Sequence, residues 1–453
     1  MAEGNTDNQG NLTLSEAPVQ MVTLVLVLLS SMLSFALSSS VRISLASTSN
    51  IFDVMKFGAK GNGKTDDSPA FMKAWKAACQ SQGNRRSILV IPRGVTFFLK
   101  PITFSGPCKP SNIYVQVSGN IVAPTKKTDW FGHYHDRWIL FALVNGLTMS
   151  GNGRIDGQGP IWWKDACITP PAPGTTCHAP AALQFKRCNN LRLNGLTHLN
   201  SPRVHITITT CNGVIVSNLH IIAPETSPNT DGINVATSTN VNIRDSIIAT
   251  AGLFQSCITI GDDCIAISGG SSNIKISGIM CGPGHGISIG SLGGTDVVEN
   301  VDVKNCTMRK TLTGVRIKTW QGGSGYARKI SFAGIKFDAV YNPIIIDQNY
   351  CPTQENCLFS SDEFIDIFLY VGFSNTKTSA VKLSDITYRG ISGTSMMENV
   401  INLSCSKTVA CTNIVMDRVY IKSAIQGRTV YGSCTNAHGR ASHVKPSFNC
   451  LKP

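Results

Sequence analysis

The chain is poor in charge, in aromatic rings and in helical pattern. Charged residues are 15% of its 453 and aromatic ones 7%, which excludes a highly charged disordered chain or a coiled coil. Sixteen cysteines contain no CxxC pair, and no His/Cys cluster has zinc-ligand spacing. That leaves oxidised pairing in a secretory compartment as the better reading. Lys/Arg runs of nucleic-acid type are also missing, although 40 Lys+Arg against 27 Asp+Glu leave a net charge of +13. A basic excess spread this way is either a solubilising surface or a field for a polyanion such as nucleic acid, an anionic membrane or an acidic polysaccharide. Without basic runs, nucleic acid is the weakest of the three.

What is present is a foldable mixture: 42% hydrophobic residues and 41 glycines. The length accommodates two or three average domains or one elongated β domain. Cys351/Cys357, Cys405/Cys411 and Cys167/Cys177 lie near enough in the chain to pair locally. From Met21, "MVTLVLVLLSSMLSFALSSS" offers an apolar core of about sixteen residues and a small-residue segment fit for cleavage, short for a membrane span and suited to a signal peptide. Residues 1–20 are acidic and polar where a signal peptide carries positive charge. Met21 is therefore read as the true start, or residues 21–40 as an uncleaved signal anchor. Secretion to the extracellular space is expected, with no stable membrane partner once the segment is cleaved.

Beyond residue 140 a short pattern recurs: a small or polar corner residue, often Asn, then apolar residues at strand spacing. It opens "NLRLNGL" at Asn190, "GVIVSNLHI" at Gly213, "NVNIRDSII" at Asn240, "NIKISGI" at Asn273 and "NVDVKNCTM" at Asn300. It continues in "KISFAGIKF", "AVKLSDITY" and "NIVMDRVYI". The first apolar positions fall at 191, 214, 241, 274, 301, 330, 381 and 414. The steps are 23, 27, 33, 27, 29, 51 and 33, with 51 read as about two turns. A loose period of this length, β-branched strands and Gly/Asn corners predict stacked coils, an all-β parallel β-helix over residues 51–453. A β-sandwich would space its turns more tightly. The stretch "DDSPAFMKAWKAAC" predicts one helix, with acidic caps, Pro69 in the first turn and Phe71, Trp75 and Ala78 on one face. It is placed to close the end of the solenoid.

One motif is set aside. "GAKGNGKT", Gly58 to Thr65, matches the phosphate-loop pattern. However, no alternating βα pattern surrounds it, and a secreted chain would not meet nucleotide triphosphate.

The carboxylates fit better. "SPNTDGI" carries Asn229 and Asp231, "GDDC" carries Asp262 and Asp263, "GPGHGISIGS" carries His285 and "RIKT" carries Arg316 and Lys318. Each taken singly has a structural reading as turn, cap or solvated edge. Together they fall on successive coils, whose equivalent positions lie about 4.8 Å apart, and so form one patch. Adjacent aspartates converge only if the backbone turns there. Converged, they repel, one pKa rises and the other group stays ionised, which supplies an acid and a base for glycosidic cleavage. Arg316 and Lys318, two apart, share a strand face suited to a sugar carboxylate.

In these motifs, and in "FDVMKFGAKGNGKTDD", "GRIDGQGPIWW" and "NPIIIDQNYC", the chain resembles the plant polygalacturonases of glycoside hydrolase family twenty-eight over nearly all of residues 51–450. The resemblance implies a right-handed parallel β-helix (the pectin lyase-like solenoid). It implies hydrolysis of α-1,4-galacturonosidic bonds in pectin with inversion, by internal or terminal attack. Asp262 is then the general acid, Asp231 and Asp263 activate water, and His285 supports the acid's protonation. Arg316 and Lys318 bind the galacturonate carboxylate, Asn229 contacts substrate and Tyr350 matches a cleft tyrosine. Cys264 and Cys281 are implied to be bridged. No metal or organic cofactor is implied, and a monomer is expected. Asn305 and Asn402 head N-glycosylation sequons. The rivals are a catalytically silent pectin-binding β-helix and a hydrolase of another wall polymer such as rhamnogalacturonan, which the cation pair argues against.

One departure stands out. Family members run from the "DSIIAT" equivalent straight into GDDC, whereas here residues 251–260, "AGLFQSCITI", intervene. Removing ten from the step of 33 leaves 23, an ordinary coil. Three readings stand: an outward loop that leaves Asp262 in register, a displacement of Asp262 costing about a hundredfold in rate, or a stretch of gene model that is not translated, like the extension before Met21.

Overall fold

The computed structural model describes residues 49–82, 86–130, 137–163, 179–224, 227–250, 261–350 and 380–451. Both N-terminal segments, residues 251–260, and the Cys351/Cys357 and Cys167/Cys177 pairs therefore lie outside the described residues. Residues 50–453 form one compact unit.

Among the described residues, strands gather into parallel sheets of 23 and 11 strands. A typical coil contributes two strands to the larger sheet and one to the smaller, while in the C-terminal coils Lys382–Ser395 and Cys411–Ser423 each run through as one long strand of the larger sheet. Thr239–Arg244, Ile247–Ala249 and Ile265–Ile267 are one typical turn. The recurring apolar residue is an inward column: Leu191, Val214, Val241, Ile274, Val301 and Ile330 pair in register, and all are buried. No coil can bury this column alone, so each depends on its neighbours.

The corner residue of the pattern has a backbone cause. Asn190, Asn240, Asn273 and Asn300 all take φ between 55° and 57°, the left-handed region that asparagine tolerates better than most residues. Their amides also chain between coils: Asn273 Nδ2 donates to Asn240 Oδ1 (3.3 Å) and Asn300 Nδ2 to Asn273 Oδ1 (3.2 Å).

The register corrects the repeat in one place. Ile330 pairs with Ile386, not with a residue near 381, and Ile386 pairs with Ile414. Ile344 likewise pairs directly with Ile401. The long step is thus one coil that carries residues 351–379 within it, not two coils.

The helix runs Ser68–Gln80 with Pro69 in its first turn and buries Ala70, Phe71, Ala74, Trp75, Ala78 and Cys79. Its acidic start works differently from a simple cap. Asp67 makes no side-chain cap bond, and Asp66 Oδ1 accepts from Ser68 N instead (3.0 Å). The Asp67 carboxylate turns back and accepts Lys60 N (2.6 Å) and Gly61 N (3.1 Å). Two amides of the phosphate-loop lookalike are therefore occupied by the chain's own anion, those of Lys64 and Thr65 donate to Asn62 Oδ1, and Asn62–Asp66 is a strand.

Four disulfides are present among the described residues: Cys264–Cys281 and Cys405–Cys411, as expected, and Cys79–Cys108 and Cys434–Cys450. Cys188, Cys211 and Cys306 are free and buried, contrary to general pairing. They occupy inward positions and serve as small hydrophobes.

Candidate active site

The smaller sheet carries the site. Its inward column, Ile206, Ile233, Ile265, Ile287 and Val315, is continuous in register. Counting back two residues places Asp231, Asp263 and His285 in one outward row at the corner before the strands. Counting forward one places Asn234, Ser288 and Arg316 in a second row. The two aspartates converge because "GDD" is corner and not strand: Asp262 and Asp263 precede Ile265–Ile267. A glycine is needed beside them. Gly286 has φ +82°, and a Cβ there would collide with the carbonyls of Thr313 and Gly314 on the next coil.

Asp263 is the hub. Its side chain is 1% exposed. Its Oδ1 accepts Ser288 Oγ (2.7 Å) and Arg316 Nη2 (2.9 Å), and its Oδ2 accepts Lys318 Nζ (3.0 Å). Arg316 Nε also donates to Ser288 Oγ (3.1 Å). Arg316 and Lys318 do share a face, but in the unliganded site both are engaged by Asp263. Donors remain for a ligand, since the ammonium has three N–H groups and the guanidinium five. Tyr350 lies beside them, with Lys318 Nζ 5.2 Å from its ring centre.

Asp262 is the accessible carboxylate at 25% exposure, with His285 Nδ1 3.6 Å from its Oδ1. Its backbone is fixed on both sides: His285 N donates to its carbonyl (2.9 Å) and so does Thr250 Oγ1 (2.7 Å). Thr250 in turn accepts from Thr230 Oγ1 (3.0 Å), which ties the NTD turn to the DD corner. Residues 250 and 262 are thus bonded to each other across the inserted ten. Asp263 and Cys264 hold their rungs, with Gly232 N on Asp263 O (2.9 Å) and Cys264 N on Gly286 O (2.8 Å). The insertion leaves and rejoins at a closed corner, and the carboxylates stay in register. Displacement of Asp262 is not what the structure shows.

Asp231 is buried, and Asn229 is exposed in the left-handed region (φ 55°) two residues before it. No side-chain bond joins Asn229 to the cluster among the described residues. Burial, then the charges of Asp262 and Asp263, push Asp231 well above the usual carboxylate range, against the pull of Lys318 and a hydrogen bond from Asn234. Burial acts the same way on Asp262. There the His285 hydrogen bond and charge, Lys318 and the Asp263 N–H outweigh it and hold the carboxyl below its usual range. Asp231 is thus pushed up and Asp262 held down, the opposite order to the roles implied by resemblance.

Asp262, Asp263 and His285 bring three ligand atoms within 4.8 Å of one another. They are a poor metal cage, because both Asp263 oxygens already face cations. The sequence reading missed Ser288, Thr250 and Asn234. Ser288 had a signal: it lies inside "GPGHGISIGS", in the same outward row as Arg316.

A parallel β-helix with outward carboxylates beside two cations has the equipment of an acid–base enzyme for an anionic polymer. Comparison with known proteins narrows the class: the chain belongs to the glycosyl hydrolases family 28, whose model matches residues 79–444. It is 48% identical over 415 residues to a "probable polygalacturonase" of Arabidopsis thaliana, covering 90% of this chain and 82% of that protein. It is 40% identical over 410 residues to polygalacturonase-2 of Solanum lycopersicum, covering 89% and 81%. In fold it resembles an exopolygalacturonase from Thermotoga maritima (TM-score 0.65, 20% identity, 83% and 87% covered). It also resembles an endo-xylogalacturonan hydrolase from Aspergillus tubingensis (TM-score 0.66, 24% identity, 87% and 100% covered).

Proposed function

We propose that this chain hydrolyses α-1,4-galacturonosidic bonds of polygalacturonate, with inversion, as a secreted monomer in the cell wall. The observation that carries the reading is the cluster itself: Asp262, Asp263 and His285 within ligand-atom reach of one another, Asp231 on the preceding coil feeling both aspartate charges, and Arg316 and Lys318 paired with Asp263, in a family 28 chain. The cations favour a galacturonate over a neutral sugar. The intact register across the insertion removes the motive for a silent binder, and no observation favours another wall polymer.

Asp262 protonates the leaving oxygen, and Asp231 with Asp263 directs water to the opposite face. For this the Asp262 carboxyl must be protonated when substrate is bound. Asp262, the most exposed carboxylate of the three, is the one a bound sugar dehydrates, and loss of water raises a carboxyl pKa. Asp231 is already buried and changes little. His285, with its Nδ1 3.6 Å from Asp262 Oδ1, lies beside the acid and supports it. Among the described residues no helix is long and apolar enough to cross a membrane.

The test is reducing-end release from polygalacturonate, with the anomer of the fresh product read by NMR. Asp262→Asn should lose about 10²–10⁴ in kcat. An intact chain without activity, a retained anomer, or an Asp262→Asn variant near wild-type rate would each sink a part of the reading.

A further inference from the structure

Away from the carboxylates, the larger sheet carries an open groove of about 710 Å³ that runs along the coil axis. Its floor has two outward rows. One is the corner ladder of Asn190, Asn240, Asn273 and Asn300, ending at Lys329. The other runs in register through Arg192, Ile215, Asn242, Lys275, Asp302 and Ser331. Five rungs at about 4.8 Å make the row about 24 Å long.

Two features point to an occupant. The first is repeat. The ladder uses one amide N–H of Asn273 and of Asn300, and each amide nitrogen carries two. On the successive coils of Asn240, Asn273 and Asn300 a second donor thus recurs at coil spacing, close to the length of one pyranose with its linkage, so an extended polysaccharide can meet the same group at three successive sugars; Gly213 interrupts the row between Asn190 and Asn240. The second is charge. Arg192, Lys275 and Lys329 are exposed, and none is ion-paired among the described residues. The opposing Asp302 is paired with Lys304 at 3.8 Å.

We propose that this groove is a second polysaccharide-binding site, which holds an acidic wall polymer along the solenoid while the carboxylate cluster acts elsewhere on the wall. The inference rests on the proposed function only for the identity of the polymer. The repeat and the charge independently call for a regularly spaced, anionic chain. The groove contains no acid–base pair, so the site binds and does not cleave.

The test is retention on a polygalacturonate matrix at low salt, measured in an Asp262→Asn background so that the matrix is not consumed. Arg192→Glu/Lys275→Glu should weaken retention about tenfold, as expected for reversing two exposed charges facing a polyanion. The milder Arg192→Gln/Lys275→Gln pair should weaken it about threefold by the same reasoning. In the active background, both pairs should leave kcat/KM on soluble trigalacturonate unchanged. Unaltered retention in both pairs overturns the proposal, as does equal retention of the parent chain on a neutral galactan matrix. If retention falls as expected but the parent chain does not hydrolyse trigalacturonate, the groove stands and the catalytic reading falls.

Discussion

Replacing one buried histidine should flatten the acid sensitivity of this fold. His198 and His205 are buried, and among the described residues none of their four ring nitrogens has a hydrogen-bond partner. Burial pushes His198 from 6.5 down to about 3, and burial with the neighbouring His198 charge does the same to His205. The unfolded chain takes up protons as pH falls below 6.5, whereas the folded chain stays neutral at these rings until about 3. Stability is therefore full above pH 6.5 and is lost progressively between there and about pH 3. At about 1.4 kcal/mol per pH unit, each ring withdraws about 3 kcal/mol by pH 4.5 and about 5 kcal/mol over the whole window. Guanidinium unfolding at pH 7 and pH 4.5 measures it. His198→Leu should shrink the difference between the two pH values by about 2–3 kcal/mol and cost little at pH 7, because it removes a buried polar group that had no partner. His205→Leu should do the same, and it separates the effect from local packing at His198. If wild type and both variants lose equal stability between the two pH values, the imidazoles are not held neutral and the reasoning fails.

Three further outcomes follow from the site. Asp263→Asn leaves Arg316 and Lys318 without their shared anion and should cost about 3–5 kcal/mol, read as a Tm fall of about 3–5 °C at this chain length. Adding Lys318→Met should recover part of the loss, and strict additivity would sink the hub. Asn234→Ala removes the hydrogen bond that lowers the Asp231 pKa. The acid limb of kcat/KM, where the base must be ionised, should move to higher pH, and a fixed limb would exclude Asp231 as that base. Thr250→Val breaks the bond to the Asp262 carbonyl and should lower kcat about tenfold or more through misplacement of the acid. Unchanged kcat would mean the corner is held by other bonds.

The solenoid was legible because its cause is local. Each coil needs a left-handed corner and an inward apolar pair, and Asn240–Val241, Asn273–Ile274 and Asn300–Val301 display both. The reading slipped at Ile386, since nothing in a lone sequence separates a long excursion within one coil from two ordinary coils. Only pairing between distant strands decides that. The site was legible as a set of charged residues but not as a circuit. Arg316 and Lys318 read as free cations, yet Asp263 reaches them over more than fifty residues of chain. The opposite pKa shifts of Asp231 and Asp262 depend on burial and on a 3.6 Å histidine contact, neither of which is a property of the motif. Ser288 and Thr250 look like ordinary strand and corner residues, and their partners come from other coils.

The bond between Thr250 and Asp262 also bears on how such an enzyme diversifies. A knot tied at the base of an excursion makes the length above it mechanically irrelevant to the chemistry below. Chain can be gained or lost at that port without retuning the acid. The Thr250–Asp262 bond thus separates the length of the chain between them from the position of the acid.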